Sequence, residues 1–184
     1  EMLGLLTGNG HEIVDSEEEA DAIVINTCCF IHDAKEESVN TILEMAEYKK
    51  TGTCKILIVT GCMAQRYKEE ITKEIPEVDA VLGTTSYGDI VKALNEAEAG
   101  HVFQEFKDIN ALPEDSGRRV ITTGGHFGYL KIAEGCDKHC TYCIIPSLRG
   151  KFRSVPEERL LKQAEYMASQ GINSRCTGNN RLWY

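Results

Sequence analysis

The sequence predicts an α/β protein: a small parallel sheet with helices on both sides, followed by the first strand and helix of a second unit. Three observations carry this. Short β-branched runs, Ala22-Ile23-Val24-Ile25 and Ile56-Leu57-Ile58-Val59, alternate with longer stretches whose apolar residues recur at helical spacing. Each run ends in a polar or glycine-bearing turn before the next helix, the order expected of parallel strands joined by crossover helices. After residue 128 the pattern restarts with Tyr129-Leu130-Lys131-Ile132-Ala133 and a further helix.

Taken in order, residues 1–6 read as the end of an amphipathic helix, stopped at Gly8-Asn9-Gly10. No G-x-G-x-x-G completes there and no Lys-Ser/Thr follows, so that turn is not a phosphate loop. A short strand is expected at 11–14 and a buried one at 22–26. A helix follows at 33–49, with Val39, Ile42, Leu43, Met45 and Ala46 on its apolar side. Strand 55–60 leads through Gly61-Cys62-Met63-Ala64-Gln65 into a helix ending before Pro76. Strand 78–83 and helix 87–97 complete a small flavodoxin-like N-terminal domain, assigned to residues 1–100. Residues 101–127, with Pro113 to Gly117 and Gly124-Gly125, read as a linker tethered by Phe103, Phe106 and Leu112. The second unit, 128–184, holds a strand, a cysteine loop and a helix at 156–170. Pro156, Glu157 and Glu158 make a well-formed helix N-terminus. The tail from Ser174 to Tyr184 is polar and patternless and reads as no strand, so Cys176 and Trp183 receive no role.

Composition narrows the classes. The 184 residues, 42% hydrophobic, can bury a core, and the apolar runs are far too short to span a bilayer. Residues 1–128 carry 24 acids and 11 bases, whereas 129–184 carry 5 acids and 9 bases. An acidic front half disfavours a phosphate backbone and suits a basic protein partner, with a plain solvated surface as the simpler explanation. Three of the eight cysteines are clustered, which points to metal chemistry in a reducing cytoplasm rather than to a disulfide framework.

That cluster is Cys136, Cys140 and Cys143, spaced C-x3-C-x2-C in the loop after the restarting strand. Strand C-termini are where open sheets and barrels place their chemistry. Three adjacent thiolates suit a 4Fe-4S cluster, leaving one iron open for a small molecule. Zinc is the alternative, with His126 or His139 as a fourth ligand, although no second C-x2-C pair is present. Beyond the loop, Arg149, Lys151 and Arg153 form a basic run suited to a carboxylate. Lys138 and His139 read as solvated. No residue is assigned as a catalytic acid or base.

C-x3-C-x-Tyr142-Cys143 at the end of a strand resembles the radical S-adenosylmethionine (SAM) enzymes. Together with Asn26-Thr27-Cys28, Gly61-Cys62-Met63-Ala64-Gln65 and Ile145-Pro146-Ser147-Leu148-Arg149-Gly150, it is similar to their methylthiotransferase family, across roughly residues 1–172. The resemblance implies the start of a radical SAM (β/α) barrel in the second unit and two 4Fe-4S clusters. One would be held by Cys136, Cys140 and Cys143. The other would be held by Cys28, Cys62 and a cysteine from a Gly-Cys-x-x-Asn segment that this sequence lacks. Cys29 and Cys54 are bystanders on this reading. Tyr142 would lie by the SAM adenine, and Arg149 and Arg153 would bind cofactor. The implied reaction is methylthiolation of the β-carbon of an aspartate in small-subunit ribosomal protein S twelve, with flavodoxin or ferredoxin as electron donor. Modification of a tRNA adenosine is the alternative within the family, and a zinc or iron-sulfur binding module the alternative outside it. The resemblance also implies a chain cut short at both ends, lacking a first strand, later barrel strands and an RNA-binding-type domain.

Overall fold

In the computed structural model, which describes residues 1–113, 117, 119–122, 126–172 and, as backbone, 174–178, helix α1 (Met2–Gly8) leads through an irregular stretch to strand β1 (Ala22–Thr27). Then come α2 (His32–Thr51), β2 (Ile56–Gly61), α3 (Cys62–Tyr67), α4 (Glu69–Glu74), β3 (Ala80–Leu82), α5 (Ile90–Glu98) and β4 (Phe103–Glu105). The four strands form one parallel sheet in the order β1-β2-β3-β4. All six residues of β2 are buried, as a central strand covered on both faces must be. Leu57, Val59 and Val81 pack with Ile42 and Ala46 of α2 and with Met63, Ala64 and Ile71 of α3 and α4. On the opposite face Ile56, Ile58, Ala80 and Leu82 meet Leu6 of α1 and Ile90, Ala93 and Leu94 of α5. The three-layer α/β reading therefore holds.

The second unit comprises β5 (Phe127–Lys131), β6 (Ala133–Glu134), α6 (Ile145–Arg149), β7 (Arg153–Ser154), α7 (Glu157–Ser169) and β8 (Ser174–Gly178). Strands β5 and β8 pair in parallel with α7 between them in the chain, a βαβ unit. Leu130 of β5 packs with Met167 of α7 and with Ile172. Strands β6 and β7 form a short antiparallel ribbon from which the cysteine loop projects.

Four expectations are corrected. Residues 11–14 are not a strand: Ile13 and Val14 are exposed, and among the described residues no strand lies alongside to complete a ladder. The helix after Gly61 breaks in two at Lys68, whose φ of 45° lies outside the right-handed helical region. Phe103–Glu105, read as linker, is the fourth strand of the sheet, paired Ala80↔Phe103 to Leu82↔Glu105. Residues 174–178, read as patternless, form β8, where backbone pairing to β5 overrides a sequence without alternation. Linker residues 114–116, 118 and 123–125, and the tail at 179–184 with Trp183, lie outside the described residues. Among the described residues no helix is long and apolar enough to cross a membrane.

Candidate metal centre

Cys28 and Cys62 stand one residue beyond the paired ends of β1 and β2, where Thr27 lies opposite Gly61. The close approach of the two strand ends depends on Gly61. It has φ 98°, and a Cβ there would sit 2.4 Å from the Thr27 carbonyl oxygen. Thr27 Oγ1 donates to the Thr60 carbonyl at 2.6 Å, tying the two strand ends together. Ser38 fixes Cys28: its Oγ accepts from Cys28 N at 3.0 Å and lies 2.9 Å from the Cys28 carbonyl, which joins the loop to α2.

Cys29 points into the core and is 2% exposed. Burial pushes its thiol above the ordinary range, as do neighbouring Cys62 and Cys28, while Arg66 pulls it down. Cys62 and Cys28 thus each lie within electrostatic reach of the Cys29 thiol. Cys54 is also buried, its thiol raised chiefly by desolvation, with Sγ 3.3 Å from the Ile56 carbonyl. Cys29 and Cys54 therefore behave as core residues, whereas Cys28 is exposed and Cys62 half-buried.

The second group sits on a braced loop. Gly135, φ 70°, lets the chain pass against the returning arm, where a Cβ would meet the Lys151 carbonyl at 2.1 Å. Cys136 N donates to the Gly150 carbonyl at 3.1 Å, and Phe152 N to Asp137 Oδ1 at 2.9 Å. Within the loop Cys143 N donates to the Cys140 carbonyl at 3.1 Å, and Lys138 N lies 3.4 Å from Cys136 Sγ. Cys140 is exposed and Cys136 and Cys143 half-buried.

The loop is anchored on the sheet domain. Leu148 of α6 is 4% exposed and belongs to the apolar cluster of α2, α3 and β2, with Ile144 packed beside it. Gln65 Oε1 accepts from Thr84 N at 3.1 Å, and Thr84 Oγ1 donates to the Leu148 carbonyl at 2.8 Å. Asn110 Oδ1 accepts from Lys151 N at 3.0 Å. These bonds set the helix that begins with Cys62 beside the helix that follows Cys143.

Residues 1–83 match a family described as Uncharacterized protein family UPF0004. A protein named Ribosomal protein uS12 methylthiotransferase RimO, from Lachnoclostridium phytofermentans, is 61% identical over 171 residues, covering 93% of this chain and 39% of that protein. Proteins of the same name from Clostridioides difficile and Acetivibrio thermocellus are 49% and 47% identical, again over 93% of this chain and 38% and 39% of their own lengths. This chain is similar to these RimO proteins over nearly all of its own length. It spans about two fifths of the length of these curated relatives.

Among the described residues no three His, Cys, Asp or Glu side chains converge into a group able to hold a metal ion. The donor set of the loop, three thiols, is nevertheless one that an iron-sulfur cluster uses. Three thiols share one loop, a backbone N–H is turned towards Cys136 Sγ as thiolate ligands favour, and His139 is exposed while the His126 ring rests against Phe127.

Of the remaining predicted residues, Tyr142 is 79% exposed beside the cysteines. Arg149 lies 3.5 Å from the Glu134 carboxylate. Arg153 donates to the carbonyls of Ala111, Arg149 and Lys151, so its guanidinium clamps the linker to the returning arm of the loop. Ser38, Thr84, Asn110, Asp137 and Glu134, which hold these groups in place, were not found from sequence. A lone polar residue in a helix or loop gives no signal of its tertiary partner.

Proposed function

We propose that this chain forms the thiol-bearing front of a SAM-dependent radical methylthiotransferase acting on the β-carbon of an aspartate in ribosomal protein S twelve. The observation that carries this reading is the packing of α6 against α3, which sets the Cys136–Cys140–Cys143 loop beside the sheet edge bearing Cys28 and Cys62. Identity of 61% to a protein named as a uS12 methylthiotransferase supports the ribosomal-protein substrate over tRNA, as does the acidic front half.

Cys136, Cys140 and Cys143 would hold one 4Fe-4S cluster, and Cys28 and Cys62 would share a second with a further cysteine. When bound, these clusters and SAM supply the one-electron cleavage, sulfur and methyl group that methylthiolation needs, with a flavodoxin or ferredoxin as reductant. The chain's own part is positional. Gly61, Thr27 and Ser38 hold the edge thiols. The Gly150 carbonyl and Asp137 fix both arms of the loop, and Arg153 fixes its base. Exposed Tyr142 stands where a planar ligand can stack. The reading also implies residence in a reducing cytoplasm and an N-terminal domain that ends near the linker.

Anaerobic reconstitution with iron and sulfide tests it by elemental analysis, optical spectrum and SAM cleavage with dithionite. Cys136→Ala, Cys140→Ala or Cys143→Ala should remove SAM cleavage, whereas Cys28→Ala should reduce iron content and leave cleavage intact. One zinc per chain without iron or visible absorption would overturn the reading. Methylthio-tRNA formed by the full-length protein would replace its substrate.

A further inference from the structure

The parallel sheet has two edges, and they differ. At one, β4 is only three residues long and ends in Glu105, features that discourage a further strand. At the other, β1 runs for six residues with no charge, no proline and an unbroken register on β2. Ile56 N donates to the Asp21 carbonyl, so with that register the odd-numbered residues of β1 bond to β2. The N–H and C=O groups of Ala22, Val24 and Asn26 therefore point away from the sheet, and among the described residues no hydrogen bond reaches them. Such an edge is a template for an added strand, with roughly 20 Å of ladder at about 3.3 Å per residue. Its two ends differ in chemistry. Before it lie Asp15, Glu17, Glu18 and Glu19, all exposed and, among the described residues, without an ion pair. The bases nearest in the fold, Lys49, Lys50 and Lys55, are already held by Asp79, by Glu47 with Glu77, and by Asp21. After it comes Cys28, followed by exposed Phe30 and Ile31, while Lys35 and Arg66 at that end lie over the Tyr67 ring.

We propose that the outer edge of β1 binds an extended, basic polypeptide segment by strand addition. Backbone bonds to Ala22, Val24 and Asn26 hold the segment, its basic side chains lie by the acids at the start of the strand, and its other end reaches Cys28. The mode suits a polypeptide and not a polynucleotide, because only a peptide supplies the alternating N–H and C=O groups that this edge lacks. The inference rests on the methylthiotransferase reading for one point alone, that the segment belongs to the ribosomal-protein substrate.

Hydrogen exchange of the intact chain, followed residue by residue by NMR, tests this with three capped peptides of about eight residues. One alternates lysine and valine, one alternates glutamate and valine, and the third is the lysine–valine peptide with every amide N-methylated. The lysine–valine peptide should slow exchange at the amides of Ala22, Val24 and Asn26 about tenfold, while those of Ile23 and Ile25, already bonded to β2, change little. It should bind about tenfold more tightly than the glutamate–valine peptide, and the N-methylated peptide should not bind. Val24→Pro, which removes an outward N–H and no bond to β2, should weaken binding about tenfold. The exchange measurement needs no variant, so it decides even where Val24→Pro does not fold. Binding without protection of the three outward amides, equal affinity for the two charged peptides, or full affinity of the N-methylated peptide overturns the proposal. So does a chain that sediments as a dimer and becomes monomeric on Val24→Pro, since a second copy then occupies the edge. None of these measurements needs iron. Strand addition to a chain that takes up no iron and cleaves no SAM defeats the cluster reading alone, and an iron-loaded, SAM-cleaving chain without it defeats the β1 site alone.

Discussion

Truncating Leu148 to alanine probes how tightly the cysteine loop is bound to the sheet domain. The side chain is 4% exposed and belongs to an apolar cluster whose other buried members all come from residues 23–81. Removing three carbons forfeits about 2.4 kcal/mol of transfer free energy at roughly 0.8 kcal/mol per methylene. The cavity left among Met63, Ala64 and their neighbours brings the expected cost to about 3 kcal/mol, within the range of buried Leu→Ala changes. For a chain of this length that corresponds to a fall in Tm of about 6–12 °C. Urea denaturation followed by far-UV circular dichroism measures the free energy. Amide exchange of Leu57, Ile58 and Val59 reports whether the loss reaches the sheet, since these amides lie in its central strand. A cost under about 1 kcal/mol, with exchange in β2 unchanged, would mean that α6 only rests on the surface and that the sheet domain does not position the loop.

Further outcomes follow from the same structure. Iodoacetamide at pH 8 should label exposed Cys28 and Cys140 well before buried Cys29 and Cys54, as peptide mass spectrometry would reveal; equal rates would contradict the burial. Because folding raises the Cys29 and Cys54 thiols, the unfolded chain loses those protons first as pH climbs past about 9. Their contribution to stability should therefore decline above that pH, and urea midpoints at pH 8 and 10 for wild type and Cys29→Ala would expose it. Ser38→Ala leaves Cys28 N without its partner and should cost about 1–2 kcal/mol, with faster exchange at that amide. Gly61→Ala meets both a positive φ and a backbone oxygen at 2.4 Å and should cost more than about 2 kcal/mol; a neutral effect would contradict the close approach of β1 and β2.

The buried strands were legible because β1 and β2 are continuous β-branched runs bounded by turns, and both emerge within a residue of their expected ends. Helix α7 was equally plain, with Pro156 capping it and Glu157 and Glu158 in its first turn. Short strands were not. Phe103–Glu105 is three residues long and owes its conformation to β3, and β8 owes its own to β5, so neither carries a local pattern. Residues 11–14 have strand-like composition but lack a neighbour to pair with, so propensity alone could not place them. At the centre, spacing picked out Cys136, Cys140 and Cys143, and resemblance picked out Cys28 and Cys62. Cys29 and Cys54, read as bystanders, are buried. Arg149 and Arg153 share one basic run in sequence yet do different things. One meets a buried carboxylate, and the other binds three backbone carbonyls across a long stretch of chain.

The bond from Thr84 to the Leu148 carbonyl and the seat of Leu148 among sheet-domain side chains give the polypeptide a direction of assembly. Every other buried member of that seat is translated before the cysteine loop, so a nascent chain has a finished platform ready when residues 136–150 emerge from the ribosome. The thiols are then drawn into shape against something already rigid. On the proposed cluster reading, mutations that slow maturation of the platform should therefore surface as poor iron loading at a site they never touch.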